Sequence, residues 1–147
     1  MKTDTRRRER GAAMVEAAIS IPLLLMLMVG IFEVGRAYET WQVLTNAARE
    51  GARMAVTPSS TPINTSALVR QYMMDGQLSN SSSAAINVNK GSSINVNGTP
   101  VSASLVTVDY PFQFIMLQPV VRLVAPGATV GGAFTMHATA VMRNEAP

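Results

Sequence analysis

Residues 12–32, "AAMVEAAISIPLLLMLMVGIF", are 21 residues with a single charge, Glu16. As an α-helix this run is about 31 Å long, close to the hydrocarbon thickness of a bilayer. It predicts a transmembrane helix. The rival reading is a cleaved secretory signal, whose apolar region is normally about 7–15 residues and ends at a small-residue site. Here Ala17–Phe32 is already 16 uncharged residues and no such site follows cleanly, which favours an anchor. Pro22 falls inside the run. It removes the amide that would bond the carbonyl of Ala18, so a helix kink is expected there.

Charge is distributed unevenly about this run. The chain has 147 residues and a net charge of +3. Lys2, Arg6, Arg7, Arg8 and Arg10 outweigh Asp4 and Glu9, and residues 12–147 are neutral, so the excess belongs to residues 1–11. Basic residues that precede a span hold their side of it in the cytoplasm. Residues 1–10 are therefore expected in the cytoplasm and the rest across the membrane. The remainder has no cluster of basic residues of the kind nucleic acid requires. The charged share of 14% is low for a soluble domain, where about 25% is usual. The chain has no cysteine, which excludes disulfides, thiolate metal sites and a thiol nucleophile.

Beyond the span, residues 33–56 keep a helical period. Val34, Tyr38, Trp41, Leu44 or Thr45, Ala48, Ala52 and Val56 step by three or four, with charged residues between them. Glu50 and Arg53 are spaced to pair at i,i+3. Tyr38 and Trp41 stand where aromatic residues anchor a helix at the membrane interface. Gly51 weakens the helix, and either permits close packing against the domain or is an exposed glycine of no consequence. "TPSSTPINTS" at 57–66 ends the helix. Thr65 or Ser66 is placed to cap a short helix over 67–75, ended by Gly76.

Strands follow. "INVN" occurs at 86–89 and again at 94–97, with "KGSS" between, which reads as a hairpin with a four-residue loop. Residues 101–110 form the expected third strand, "FQFIMLQ" a covering loop or short helix, and residues 131–143 an alternating last strand. The expected fold is α+β: a long helix, transmembrane and then amphipathic, followed by a small antiparallel sheet domain. The segments are 1–11 (basic leader), 12–32 (span), 33–56 (continuing helix) and 57–147 (domain).

No catalytic constellation is legible. The lone histidine, His137, sits mid-strand with no acidic neighbour in sequence, and Asp75 and Asp109 are isolated. No phosphate-binding loop, nucleophile elbow or metal motif occurs. An enzyme, a cofactor, a metal and a small-molecule substrate are not expected.

Gly11 followed by Glu16 and an apolar helix resembles the signal of type IV pilins and pseudopilins. "RGAAMVEAAISIPLLLMLMVGIFEVGRAY", "LTNAAREGARMAV", "VTVDYPF" and "ATAVMRNE" together resemble the TadE-like minor pseudopilins of tight-adherence (Flp) pilus systems. That resemblance implies a pilin-like bacterial inner-membrane protein with a periplasmic C-terminal domain, which helps to assemble an adhesive pilus. It implies cleavage by a prepilin peptidase between Gly11 and Ala12, and pilin or pseudopilin subunits and the assembly machinery as partners. Where pilins of this class favour Phe or Met at the first mature position, this chain has Ala12, and Ala17 replaces the frequent aromatic after the glutamate. Glu16 then has two readings. It pairs with the freed amine of a neighbouring subunit, or it lies shallow and reaches the headgroups. Outside the pilus, the alternative role is a signal-anchored periplasmic adaptor or scaffold.

Overall fold

The computed structural model describes residues 3–127 and 132–144. The first helix, α1, spans Thr3–Ala55 as one element, with Pro22 inside it. It begins well before the apolar run. Arginine and glutamate are good helix formers, so the change in composition at Gly11 is no backbone boundary. The helix ends one residue short of the expected Val56, ahead of Pro58, which disfavours helical geometry in the residue before it.

The chain divides into two compact units, residues 1–35 with 114–132 and residues 36–113 with 133–147. In the second unit, Leu44, Ala47, Ala48, Ala52 and Ala55 of α1 are buried. Leu44, Ala48 and Ala52 lie on the predicted stripe. Tyr38 and Trp41 do not join it and stay exposed, while the small residues Ala47, Gly51 and Ala55 are buried beside it. Small side chains let another backbone come close. A Cβ on Gly51 would lie 2.4 Å from Cγ2 of Val69 and 3.3 Å from Cγ1 of Val106. Of the two readings of Gly51, close packing is the one observed.

The second helix, α2, spans Pro62–Asp75 and starts earlier than expected. Its cap is Thr61, whose Oγ1 accepts the amide of Asn64 at 3.2 Å, rather than Thr65 or Ser66. Pro62 starts this helix. At the first helical position its missing amide has no partner to lose and its fixed φ suits the turn. Thr65 is fully buried within α2, and its Oγ1 is the buried side-chain polar atom without a hydrogen bond among the described residues. Gly76 follows α2, as expected, in ordinary backbone geometry at φ −75°. A Cβ there would lie 2.6 Å from Val43 Cγ1, so space is what requires the glycine. Arg70 of α2 donates to the carbonyls of Ser81 and Ser82, at 2.6 and 2.9 Å, in a single 3-10 turn at Ser81–Ser83.

Three antiparallel strands form a sheet in the order β1–β2–β3: Ala85–Val96, Thr99–Phe112 and Phe134–Arg143. The expected hairpin is corrected here. The first "INVN" copy and all but Asn97 of the second lie on β1, and between them Lys90 and Gly91 form a bulge, where the register slips between Asn89 and Ser92. The turn is Asn97–Gly98, with φ of 52° and 85°. Two consecutive positive φ angles are the geometry of the tight hairpin turn that Asn-Gly favours. Lys90, in the bulge, donates from Nζ to the carbonyls of Thr57 and Ser60, at 3.1 and 2.8 Å. It thereby ties β1 to the loop that follows α1.

β2 is the central strand. Val106, Val108, Tyr110 and Phe112 alternate inward and are buried. The strand continues through Pro111, past the expected end at Tyr110. β1 pairing stops at Asp109, so Pro111 has only β3 as a neighbour and no ladder bond is missing on the other side. The last strand alternates as predicted, with Met136, Ala138 and Ala140 inward. Residues 131–133 of the predicted strand lie before its observed start, and Gly131 is outside the described residues.

Candidate functional site

All six residues singled out in the sequence lie on α1. Gly11, Ala12, Glu16 and Pro22 are exposed, as is almost every residue of the apolar run. Met14, Ile19, Leu23 and Met28 are each more than 60% exposed, so the described residues leave most of this helix surface uncovered. Among the described residues, this is the helix that is long and apolar enough to cross a membrane. Ala12 and Glu16 are four residues apart and share one face of it. A Cβ on Gly11 would meet nothing within 4 Å, so packing within the chain does not require glycine there.

Further along α1, Tyr38 and Trp41 are exposed with ring centroids 6.2 Å apart. The Tyr38 hydroxyl accepts from Nε2 of Gln42 at 2.8 Å. The expected Glu50–Arg53 pair is present at 3.9 Å. It is solvent-exposed, and such a pair contributes little to stability.

Glu33 escaped the reading of the sequence. It directly follows the apolar run, yet it is fully buried. Its Oε1 accepts the backbone amides of Ile115 and Met116, at 2.7 and 2.6 Å. These amides immediately precede α3, Leu117–Val124. Such bonds to a carboxylate are charge-assisted, and a helix start favours a negative group. The signal was an acid at the end of a span together with a second apolar segment between two prolines. Their contact is long-range and has no local signature. Leu117 lines an open apolar groove of about 630 Å³ together with Leu23, Leu27, Gly30, Ile31 and Val34.

In the other unit, the Arg36 guanidinium lies 4.4 Å from the Phe112 ring centroid and donates to the Gln113 carbonyl. His137 does have an acidic neighbour across the sheet. It pairs in register with Asp109, Nδ1 to Oδ1 at 2.7 Å. Both side chains are substantially exposed. Among the described residues, no three His, Cys, Asp or Glu gather to hold a metal.

The apolar run with Gly11 at its start, and the helix that carries it onward, are the part of the chain with a known counterpart. Residues 11–53 match the TadE family model, described as TadE-like protein. Over these residues, under a third of the chain, it is similar to TadE-like proteins. The match opens on Gly11 and ends two residues before α1 does. No curated protein and no solved structure matches the chain. A TadE-like segment implies a Tad pilus-associated protein, and its family is not known as enzymatic. The single N-terminal apolar helix supports a single-pass membrane protein.

Proposed function

We propose that this chain is a minor pseudopilin-like membrane protein that supports assembly of a tight-adherence pilus. The observation that carries the reading is the TadE-like match, which opens on Gly11 and takes in Glu16 and the whole apolar run. Residues 1–11 are a cytoplasmic leader, 12–32 the span, 33–56 its periplasmic continuation and 57–147 a periplasmic domain. A prepilin peptidase cuts between Gly11 and Ala12.

Cleavage has two electrostatic consequences. It removes the +3 leader that holds the N-terminus in the cytoplasm. It also creates a positively charged amine at Ala12, one helical turn from Glu16. An unpaired carboxylate in lipid is penalised, so Glu16 favours a position where it meets such an amine on a neighbouring subunit. That preference selects one axial register between helices. Pro22 loosens the helix between this pair and the rest of the span, and Tyr38 and Trp41 anchor the far interface. Partners are the inner membrane, the peptidase, other pilin or pseudopilin subunits and the assembly machinery.

Glu16→Ala tests the pairing role. Deleting the chain is expected to abolish surface pili, and the unaltered chain to restore them. The variant should be cleaved and inserted normally yet leave pilus yield near that of the deletion. Full restoration of pili by Glu16→Ala would remove the pairing role.

A further inference from the structure

We infer that residues 114–117, "FIML", are a second membrane contact, a loop with the first residue of α3 that Glu33 holds against the acyl chains of the bilayer its own helix crosses. The inference rests on residues 12–32 spanning that bilayer. Glu33 is the first residue after the 21-residue apolar run, so it marks one end of the span. Its Oε1 takes both the Ile115 and Met116 amides, at 2.7 and 2.6 Å. Those two bonds fix the backbone of the loop at the level where the span ends.

Phe114 and Leu117 are half-buried, and the two side chains between them face outward. Ile115 is 62% exposed and Met116 49%. Scattered apolar residues on a surface are ordinary, but these are not scattered. Leu117, next in sequence, shares one open apolar groove with Leu23, Leu27, Gly30, Ile31 and Val34 of the span. The apolar surface of the span therefore extends onto Leu117, the residue that directly follows Ile115 and Met116. This continuity identifies the occupant, because the solvent that covers Leu23 and Leu27 in a bilayer is acyl chain, and the groove opens to it.

Glu33 makes the arrangement tolerable. A bare carboxylate at the edge of the hydrocarbon is costly, and a bare loop amide there is costly too. Each satisfies the other, and the carboxylate is left with no exposure.

The natural chain has no cysteine, so single cysteines at Leu25, Asn95, Ile115 and Met116 each take one nitroxide label without background. The full chain is reconstituted in vesicles of phosphatidylethanolamine and phosphatidylglycerol. Collision of each label with oxygen, which partitions into lipid, is compared with collision with a water-soluble nickel chelate. Labels at 115 and 116 are expected to share the high-oxygen, low-nickel signature of position 25, with position 95 showing the reverse. A water signature at 115 and 116 beside a lipid signature at 25 overturns the inference and leaves the span standing. A water signature at 25 overturns the span itself. Weak collision with both reagents at 115 and 116 puts a protein partner there and also overturns the lipid contact. In a second series, Glu33→Ala should shift both loop labels toward the water signature, whereas Glu33→Gln, which keeps an acceptor oxygen, should not. An unchanged lipid signature in Glu33→Ala overturns the tether.

Discussion

Gly11 and Gly51 are both glycines of α1, and opposite circumstances account for them. Around Gly11 there is room for any side chain, while at Gly51 a single carbon collides with Val69. The sequence presents both as a glycine in a helix, and only the burial of the distal half separates them. Gly51→Ala should gain about 1 kcal/mol in helix propensity. Against that stands overpacking beside a stiff, fully buried valine, which costs about 1–3 kcal/mol. The clash at 2.4 Å is severe enough for overpacking to win, so the variant should unfold at lower denaturant. Val69→Ala opens the space, so the double variant should lose less stability than the two single losses added together. Strict additivity would remove the contact as the cause. Glu33 shows the limit of reading at this scale. Nothing near it in sequence reveals that its partners are the amides of Ile115 and Met116.

Among the elements, α1 and the last strand were legible because each carries its own period, whereas α2 was placed by its caps alone and begins earlier than they suggested. The distal stripe of α1 was legible at Leu44, Ala48 and Ala52, where large or small apolar residues recur at helical spacing. It was misread at Tyr38 and Trp41, where a bulky aromatic fits the period but stays exposed, and at Ala47 and Ala55, whose small side chains give little signal. The first hairpin was misread because the repeat suggested two strands of equal length. Asn97–Gly98 was the stronger signal, since it satisfies two positive φ angles with the residues best able to adopt them. The bulge at Lys90 absorbs the extra residue that the repeat leaves over. Gly98→Ala places a Cβ at φ +85° and should destabilise the turn by about 1–2 kcal/mol. Hydrogen exchange should speed up at the amides flanking the turn, Val96 and Thr99, and little at Val106. Equal protection of the turn in the variant and the natural chain would contradict the assignment.

At the scale of the whole molecule, an α+β chain with a membrane-length N-terminal helix was readable from three simple facts. These are one long apolar run, a neutral remainder and alternating strands after the last helix signals. The candidate processing segment is a local pattern, because Gly11, Ala12 and Glu16 lie within six consecutive residues and need no folding to be proposed. The Glu33 contact is not, since it joins positions 82 and 83 residues apart. The functional reading turns on the first of these, the division of the chain at Gly11 into a removable basic leader and a mature helix. The direct measurement is the intact mass of the chain made in cells with and without the prepilin peptidase. The predicted result is an N-terminus at Ala12 when the peptidase is present and a mass that still includes residues 1–11 when it is absent. An uncut leader in both would contradict it.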